Sequence, residues 1–91
     1  HISIISFLKP GIITILNSSS EEKFYVEDGI LEFKDNVLSI LTSSIFNIKN
    51  IEKDKIANDI TEAEKALQNP DLNDESRYLI SQKVDVLKTI N

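Results

Sequence analysis

The period of the apolar residues changes once along this chain of 91 residues, at about residue 51. Before that point, short runs of alternating apolar and polar side chains are separated by turn residues, which is typical of β-strands. After it, apolar residues recur at every third or fourth position, which is typical of amphipathic helices. The sequence therefore predicts an α+β protein with a partial antiparallel β-sandwich in residues 1–48 and an antiparallel two-helix hairpin in residues 51–91.

Turn signals divide the first half of the chain. Lys9-Pro10-Gly11 interrupts an N-terminal apolar run, and Asp28-Gly29 predicts a tight hairpin because both residues tolerate positive φ angles. The polar residues 17–22 predict a flexible loop, and Lys34-Asp35-Asn36 predicts a second turn. The predicted strands are residues 12–16, 23–26, 30–33 and 37–42, with a further short strand around Ile45, Phe46 and Ile48.

Two helices are predicted in the second half. Asn69-Pro70 ends the first, and Asn73 is the predicted N-cap of the second. Isolated helices of about 15 residues or fewer are marginal in water, so the hairpin must pack against the sheet, against itself or against a partner. The predicted apolar stripes are Ile56, Ile60, Ala63 and Leu67 on the first helix and Leu79, Ile80, Val84, Val86, Leu87 and Ile90 on the second.

Composition argues against several classes of function. The net charge of -5 and the scattered basic residues do not suit nucleic-acid binding, and a chain without cysteine has no thiol chemistry. Two glycines cannot form a phosphate-binding loop, and the single histidine, His1, is interpreted as a surface or packing residue. We therefore predict no catalytic residue, metal or cofactor. Asp54, Asp59, Glu62 and Glu64 are interpreted as a solvated helix face.

Targeting signals are also not predicted. No apolar stretch approaches the roughly 20 residues that span a bilayer. Residues 2–8 lack the charged leader and the cleavage site of a signal peptide.

Four segments in order resemble the epsilon subunits of ATP synthases, and together they cover essentially the whole chain. They are Leu8-Lys9-Pro10-Gly11, the segment FYVEDGILEF at residues 24–33, the segment NVLSIL at residues 36–41, and the helical hairpin that follows.

This resemblance implies a rotor subunit in the central stalk of an F-type ATP synthase, which couples proton-driven rotation of the c-ring to ATP synthesis. The sandwich would contact the gamma subunit and the c-ring. The hairpin would fold onto the sandwich or extend toward the catalytic alpha/beta head, where it can oppose ATP hydrolysis. The resemblance further implies a non-catalytic, peripheral subunit on the cytoplasmic face of a bacterial inner membrane.

The chain departs from the family pattern in three places. Family members carry further strands before the equivalent of His1, so we expect this chain to expose sheet edges and apolar faces. Asp28 replaces a common glycine. Residues 51–56, IEKDKI, lack the aspartate, arginine and alanine of the ATP-binding motif found in some members, so we do not predict ATP sensing.

The resemblance also suggests partner contacts. Basic side chains of the family's hairpin face acidic loops of the catalytic subunits, which makes Arg77, Lys83 and Lys88 the candidates here. The same residues could instead be ordinary exposed charges. Two other functions stay open: a nucleotide-binding regulatory domain, and an adaptor whose hairpin binds an unrelated partner.

Overall fold

The computed structural model describes residues 2–90, which form two three-stranded antiparallel sheets and two helices. One sheet has the order β1-β4-β5 and the other has the order β2-β3-β6. The predicted α+β class, a β-sandwich followed by a helical hairpin, is confirmed. The elements are β1 (Ile4–Leu8), β2 (Gly11–Leu16), β3 (Glu21–Val26), β4 (Gly29–Lys34), β5 (Val37–Leu41), β6 (Ile45–Asn47), a 3-10 turn (Ile48–Asn50), α1 (Lys53–Ala66) and α2 (Asp74–Ile90).

The loop between β2 and β3 is shorter than predicted and is closed by local hydrogen bonds. The side-chain carbonyl of Asn17 accepts hydrogen bonds from the backbone N–H groups of Ser19 and Ser20, at 3.0 and 2.8 Å. This local bonding closes the turn within four residues. Glu21 and Glu22 therefore pair with Leu16 and Ile15 in the sheet, and the predicted loop at residues 17–22 is too long.

The predicted hairpin at Asp28-Gly29 is wrong. β3 and β4 belong to different sheets, so this segment carries the chain from one sheet to the other. Gly29 has a φ of 145°, and a Cβ atom there would lie 2.5 Å from the carbonyl oxygen of Leu41. The glycine therefore permits close approach of two backbones. A tight hairpin does occur between β4 and β5, where Asp35 and Asn36 have φ values of 51° and 63°, as predicted.

The helix boundaries follow the predicted signals. The side-chain oxygen of Asn73 accepts a hydrogen bond from the backbone N–H of Ser76 at 2.7 Å, which confirms the N-cap of α2. The apolar stripes are confirmed because Ile56, Ala63, Val84 and Leu87 are buried. Leu79 departs from its stripe and stays 38% exposed.

The hairpin packs on the sheet β2-β3-β6. Tyr25 lies opposite Ile12 on one side and Phe46 on the other, so these three residues share a face. Tyr25 joins Ile56 and Leu87 in a buried cluster. Val26 points to the opposite face and is 2% exposed, which places it in the interior of the sandwich. Partly buried residues from the sandwich and the hairpin pack against this cluster: Ile12, Ile48, Ile51, Ile60, Val86 and Ile90.

Candidate interaction surfaces

The three basic residues predicted as partner contacts all have partners within the chain. Arg77 is half-buried at the start of α2, where its guanidinium donates hydrogen bonds to the carbonyl oxygens of Leu67 at 2.7 Å and Asn69 at 3.0 Å. These carbonyls follow the last turn of α1, where no intrahelical donor is available. Arg77 therefore caps the first helix and fixes the loop between the two helices.

The two lysines differ in what they connect. Lys88 forms an ion pair with Glu64 of α1 at 3.4 Å, and both side chains are more than half exposed. Lys83 forms an ion pair at 2.9 Å with Glu27, which follows β3, and these side chains are only 28% and 33% exposed. Lys88 thus joins helix to helix, whereas Lys83 joins the hairpin to the β-sandwich.

A second polar contact joins α2 to the sandwich. The ammonium group of Lys9, in the turn between β1 and β2, donates a hydrogen bond to the hydroxyl of Tyr78 at 2.9 Å. It also lies 5.5 Å from the centroid of the Tyr78 ring, within the range of a cation–π interaction. Between the two contacts lies a shallow cleft lined by Pro10, Glu27, Asp28, Leu79, Ile80 and Lys83.

Tyr25 connects the buried cluster with this polar region. Its ring is 3% exposed, and its hydroxyl donates to the same Glu27 oxygen that binds Lys83, at 3.4 Å. Burial raises the pKa of Tyr25 well above its usual value, and the negative charge of Glu27 acts in the same direction. Tyr25 therefore stays neutral and donates at physiological pH.

The outer face of the sheet β1-β4-β5 is apolar and open. Phe7, Ile30 and Leu41 lie side by side across the three strands and are 81%, 41% and 74% exposed. Ile5 and Val37 lie on the same face, beside Glu32 and Lys34 of β4, and we call the five apolar residues the outer strip. The opposite face carries the half-buried side chains Leu31 and Ile40 together with the exposed side chains Ile4, Phe33 and Leu38. An exposed apolar cluster such as Phe7, Ile30 and Leu41 is typical of an interaction site.

The segment that replaces the ATP-binding motif has local partners. Lys55 forms an ion pair with Asp59 at 3.2 Å, and its ammonium group lies 5.6 Å from the centroid of the Phe46 ring. Within residues 2–90, no group of three or more histidine, cysteine, aspartate or glutamate residues could hold a metal ion. His1 lies outside the described residues.

Sequence reasoning missed Lys9, Glu27 and Tyr78. Lys9 and Tyr78 are 69 positions apart, and neither the spacing nor the composition of the chain brings them together. Glu27 reads in the sequence as a turn residue next to Asp28-Gly29. Only the packing of α2 along the sandwich reveals these contacts. No helix in the described part of the chain is both long and apolar enough to cross a membrane.

Comparison with known proteins gives one family for the first half of the chain and for the chain as a whole. Residues 1–48 match the family described as ATP synthase, Delta/Epsilon chain, beta-sandwich domain. The ATP synthase epsilon chain of Pelagibacter ubique is 64% identical over all 91 residues of this chain, which span 70% of that relative. The epsilon chain of Psychrobacter arcticus is 31% identical over 76% of this chain and 51% of its own length.

A solved structure shows the same fold. In the cryo-EM structure of the Euglena gracilis mitochondrial ATP synthase, OSCP/F1/c-ring in rotational state 1, one chain matches 97% of this chain with a TM-score of 0.67. The identity is 20%, and the match covers 55% of that chain. The chain thus spans between about half and about two-thirds of the relatives it matches.

Proposed function

The chain belongs to the ATP synthase epsilon-chain family, and from this membership we propose that it is a rotor subunit of the central stalk of an F-type ATP synthase. It would couple proton-driven rotation of the c-ring to ATP synthesis without performing chemistry itself. The observation that carries the proposal is the 64% identity to the Pelagibacter ubique epsilon chain over the whole sequence.

The proposed partners are the gamma subunit and the c-ring, with the alpha/beta head as the partner of the extended hairpin. Such a subunit is peripheral and lies on the cytoplasmic face of a bacterial inner membrane. We assign the docking role to residues 1–48 and the regulatory role to residues 51–91. The outer strip supports this division because it lies on the sheet β1-β4-β5, whereas the hairpin packs on the sheet β2-β3-β6.

We further propose that the hairpin opposes ATP hydrolysis when it extends into the head. Arg77, Lys83 and Lys88 would then meet acidic loops. Arg77 uses two of its five N–H donors on the carbonyl oxygens of Leu67 and Asn69 after α1 and keeps others for a carboxylate. Lys83 and Lys88 would exchange an internal carboxylate for an external one.

Binding to the gamma subunit tests the docking role. We expect the chain to form a one-to-one complex with a gamma subunit from a matched source, detected by native mass spectrometry. Leu41→Glu places a charge on the outer strip and should weaken this binding by at least about tenfold, because an interface penalises an unpaired buried carboxylate.

Leu16 offers a matched control because it is a leucine of similar exposure, 69% against 74% for Leu41, on the other sheet. Leu16→Glu should leave binding unchanged. A wild-type chain that does not bind gamma would contradict the rotor assignment. Equal losses in both variants would contradict docking through the outer strip.

A further inference from the structure

Among the described residues, Lys83 is the one basic residue of α2 whose recorded partner lies in the sandwich. The partners of Arg77 lie in the loop after α1, and the partner of Lys88 lies on α1. Both contacts therefore move with the hairpin as a unit. The partner of Lys83 is Glu27, which belongs to the β-sandwich, so this contact must break if the hairpin leaves.

We propose that Glu27 and Lys83 form a latch that sets how often the hairpin leaves the sandwich, with Lys9 and Tyr78 as its second point of contact. This inference rests on the proposed function, in which the hairpin has a docked and an extended state. The latch names the contacts that control the exchange between these two states. It also implies that the Lys83 ammonium group becomes available to a partner only when the hairpin is released.

The surroundings of the Glu27–Lys83 pair favour such a role. Its side chains are 28% and 33% exposed, whereas both side chains are more than half exposed in the Lys88–Glu64 pair. Partial shielding from water weakens screening by salt and strengthens the attraction between charges. The hydroxyl of Tyr25 also donates to Glu27, and the apolar cluster holds the Tyr25 ring in place. Glu27 is thus presented to α2 in a fixed position.

The second point of contact lies earlier on α2. Tyr78 precedes Lys83 by between one and two helical turns, and it meets Lys9 from the turn between β1 and β2. The latch therefore joins α2 to two separate loops of the sandwich, one after β1 and one after β3. Two anchors along one helix resist both rotation and lifting of that helix.

The magnitude of the effect suits a switch. The apolar cluster around Tyr25 supplies most of the attachment, so loss of the ion pair would loosen the hairpin without unfolding it. An ion pair at or near the surface changes such an equilibrium by about two- to five-fold. An equilibrium of this kind can be reversed by a partner that binds the released helix.

Distances between two spin labels test the latch in the full chain. The sequence has no cysteine, so Ser18→Cys on the loop after β2 and Asp85→Cys on α2 give two unique, exposed labelling sites. Double electron–electron resonance would then resolve a short, docked distance and longer, released distances. We expect Glu27→Gln and Lys83→Gln each to raise the ratio of released to docked molecules by about two- to five-fold.

Three controls make the result specific. Lys88→Gln removes an ion pair inside the hairpin and should leave the ratio unchanged. The charge reversal Glu27→Lys with Lys83→Glu should return the ratio to that of the wild type. Added salt should raise the ratio for the wild type and have less effect on Glu27→Gln. Circular dichroism would verify that each variant keeps its helical content.

The latch is overturned if Glu27→Gln and Lys83→Gln release no more hairpin than Lys88→Gln, or if the charge reversal is as open as the single variants. A chain that shows only the docked distance in every variant also overturns it. Binding to the gamma subunit is measured separately, by native mass spectrometry of the wild type and Leu41→Glu. A failed latch with intact gamma binding would leave the rotor role standing, whereas absent gamma binding would remove that role whatever the label distances show.

Discussion

Arg77 at the start of α2 donates a hydrogen bond of 2.7 Å to the carbonyl oxygen of Leu67, the residue directly after α1. A second bond to Asn69 at 3.0 Å lets one guanidinium bridge the end of one helix and the loop that leads to the next. This connection favours movement of the hairpin as one unit, because it ties the end of α1 to the start of α2.

Replacement of Arg77 should therefore destabilise the hairpin. We expect Arg77→Ala to lower the free energy of unfolding by about 1.5–3 kcal/mol, the usual contribution of hydrogen bonds to a charged group. Arg77→Lys should lose less because one ammonium group can still reach one carbonyl. Urea denaturation followed by circular dichroism measures both. Lys88→Ala is the control and should cost well under ~1 kcal/mol; equal losses for Arg77→Ala and Lys88→Ala would refute the capping role.

Leu87 joins the hairpin to the sheet through the buried cluster with Tyr25 and Ile56, and it is only 2% exposed. Leu87→Ala should lower the free energy of unfolding by about 2–5 kcal/mol through lost burial and a cavity. Leu79→Ala, on the same helix at 38% exposure, should cost about 1 kcal/mol or less. Thermal or urea unfolding compares the two, and similar losses would mean that Leu87 does not anchor the helix.

The backbone conformation of Gly29 should make this position intolerant of a side chain. Because its φ is 145° and a Cβ atom would lie 2.5 Å from the Leu41 carbonyl oxygen, Gly29→Ala should cost about 1–3 kcal/mol. Gly11 provides the matched control, since a Cβ atom there would meet only the Lys9 carbonyl at 3.6 Å. Gly11→Ala should leave the free energy of unfolding unchanged or raise it by up to about 1 kcal/mol. A tolerated Gly29→Ala would contradict the close approach of Gly29 to the Leu41 carbonyl oxygen on the neighbouring strand β5.

The raised pKa of Tyr25 predicts a pH dependence. Above about pH 10 the unfolded chain releases the proton of this phenol while the folded chain retains it, so the unfolded state binds fewer protons. The contribution of Tyr25 protonation to the free energy of unfolding is therefore fully present below about pH 10. Above that pH, the free energy of unfolding should fall by up to about 1.4 kcal/mol per pH unit.

Urea unfolding of the wild type and Tyr25→Phe at several alkaline pH values measures this difference. The wild type should lose stability more steeply than the variant because other groups titrate equally in both. Parallel pH curves for the two proteins would show that Tyr25 is not held neutral by the fold.

The sequence was sufficient for the parts of the fold that depend on local patterns. The change of period separated the strands from the helices, and Asn69-Pro70 with Asn73 located the loop of the hairpin. These signals work because backbone restriction and capping act within a few residues.

The parts that depend on long-range pairing could not be predicted. Asp28-Gly29 has the residues of a hairpin turn, but β4 pairs with β1 and β5, so the same glycine serves a crossing between sheets. β1 itself was not predicted as a strand because the apolar run at residues 2–8 contains little alternation. The Glu27–Lys83 and Lys9–Tyr78 contacts likewise arise only when α2 is placed against the sandwich.

The most direct test of the rotor assignment is whether this chain turns during catalysis. An ATP synthase head containing the chain would be fixed to a surface through its alpha/beta subunits, with a probe attached to a cysteine introduced at Ser18. We expect the probe to rotate when ATP is added, together with a probe on the gamma subunit. A probe on this chain that stays still while the gamma subunit rotates would contradict the rotor assignment.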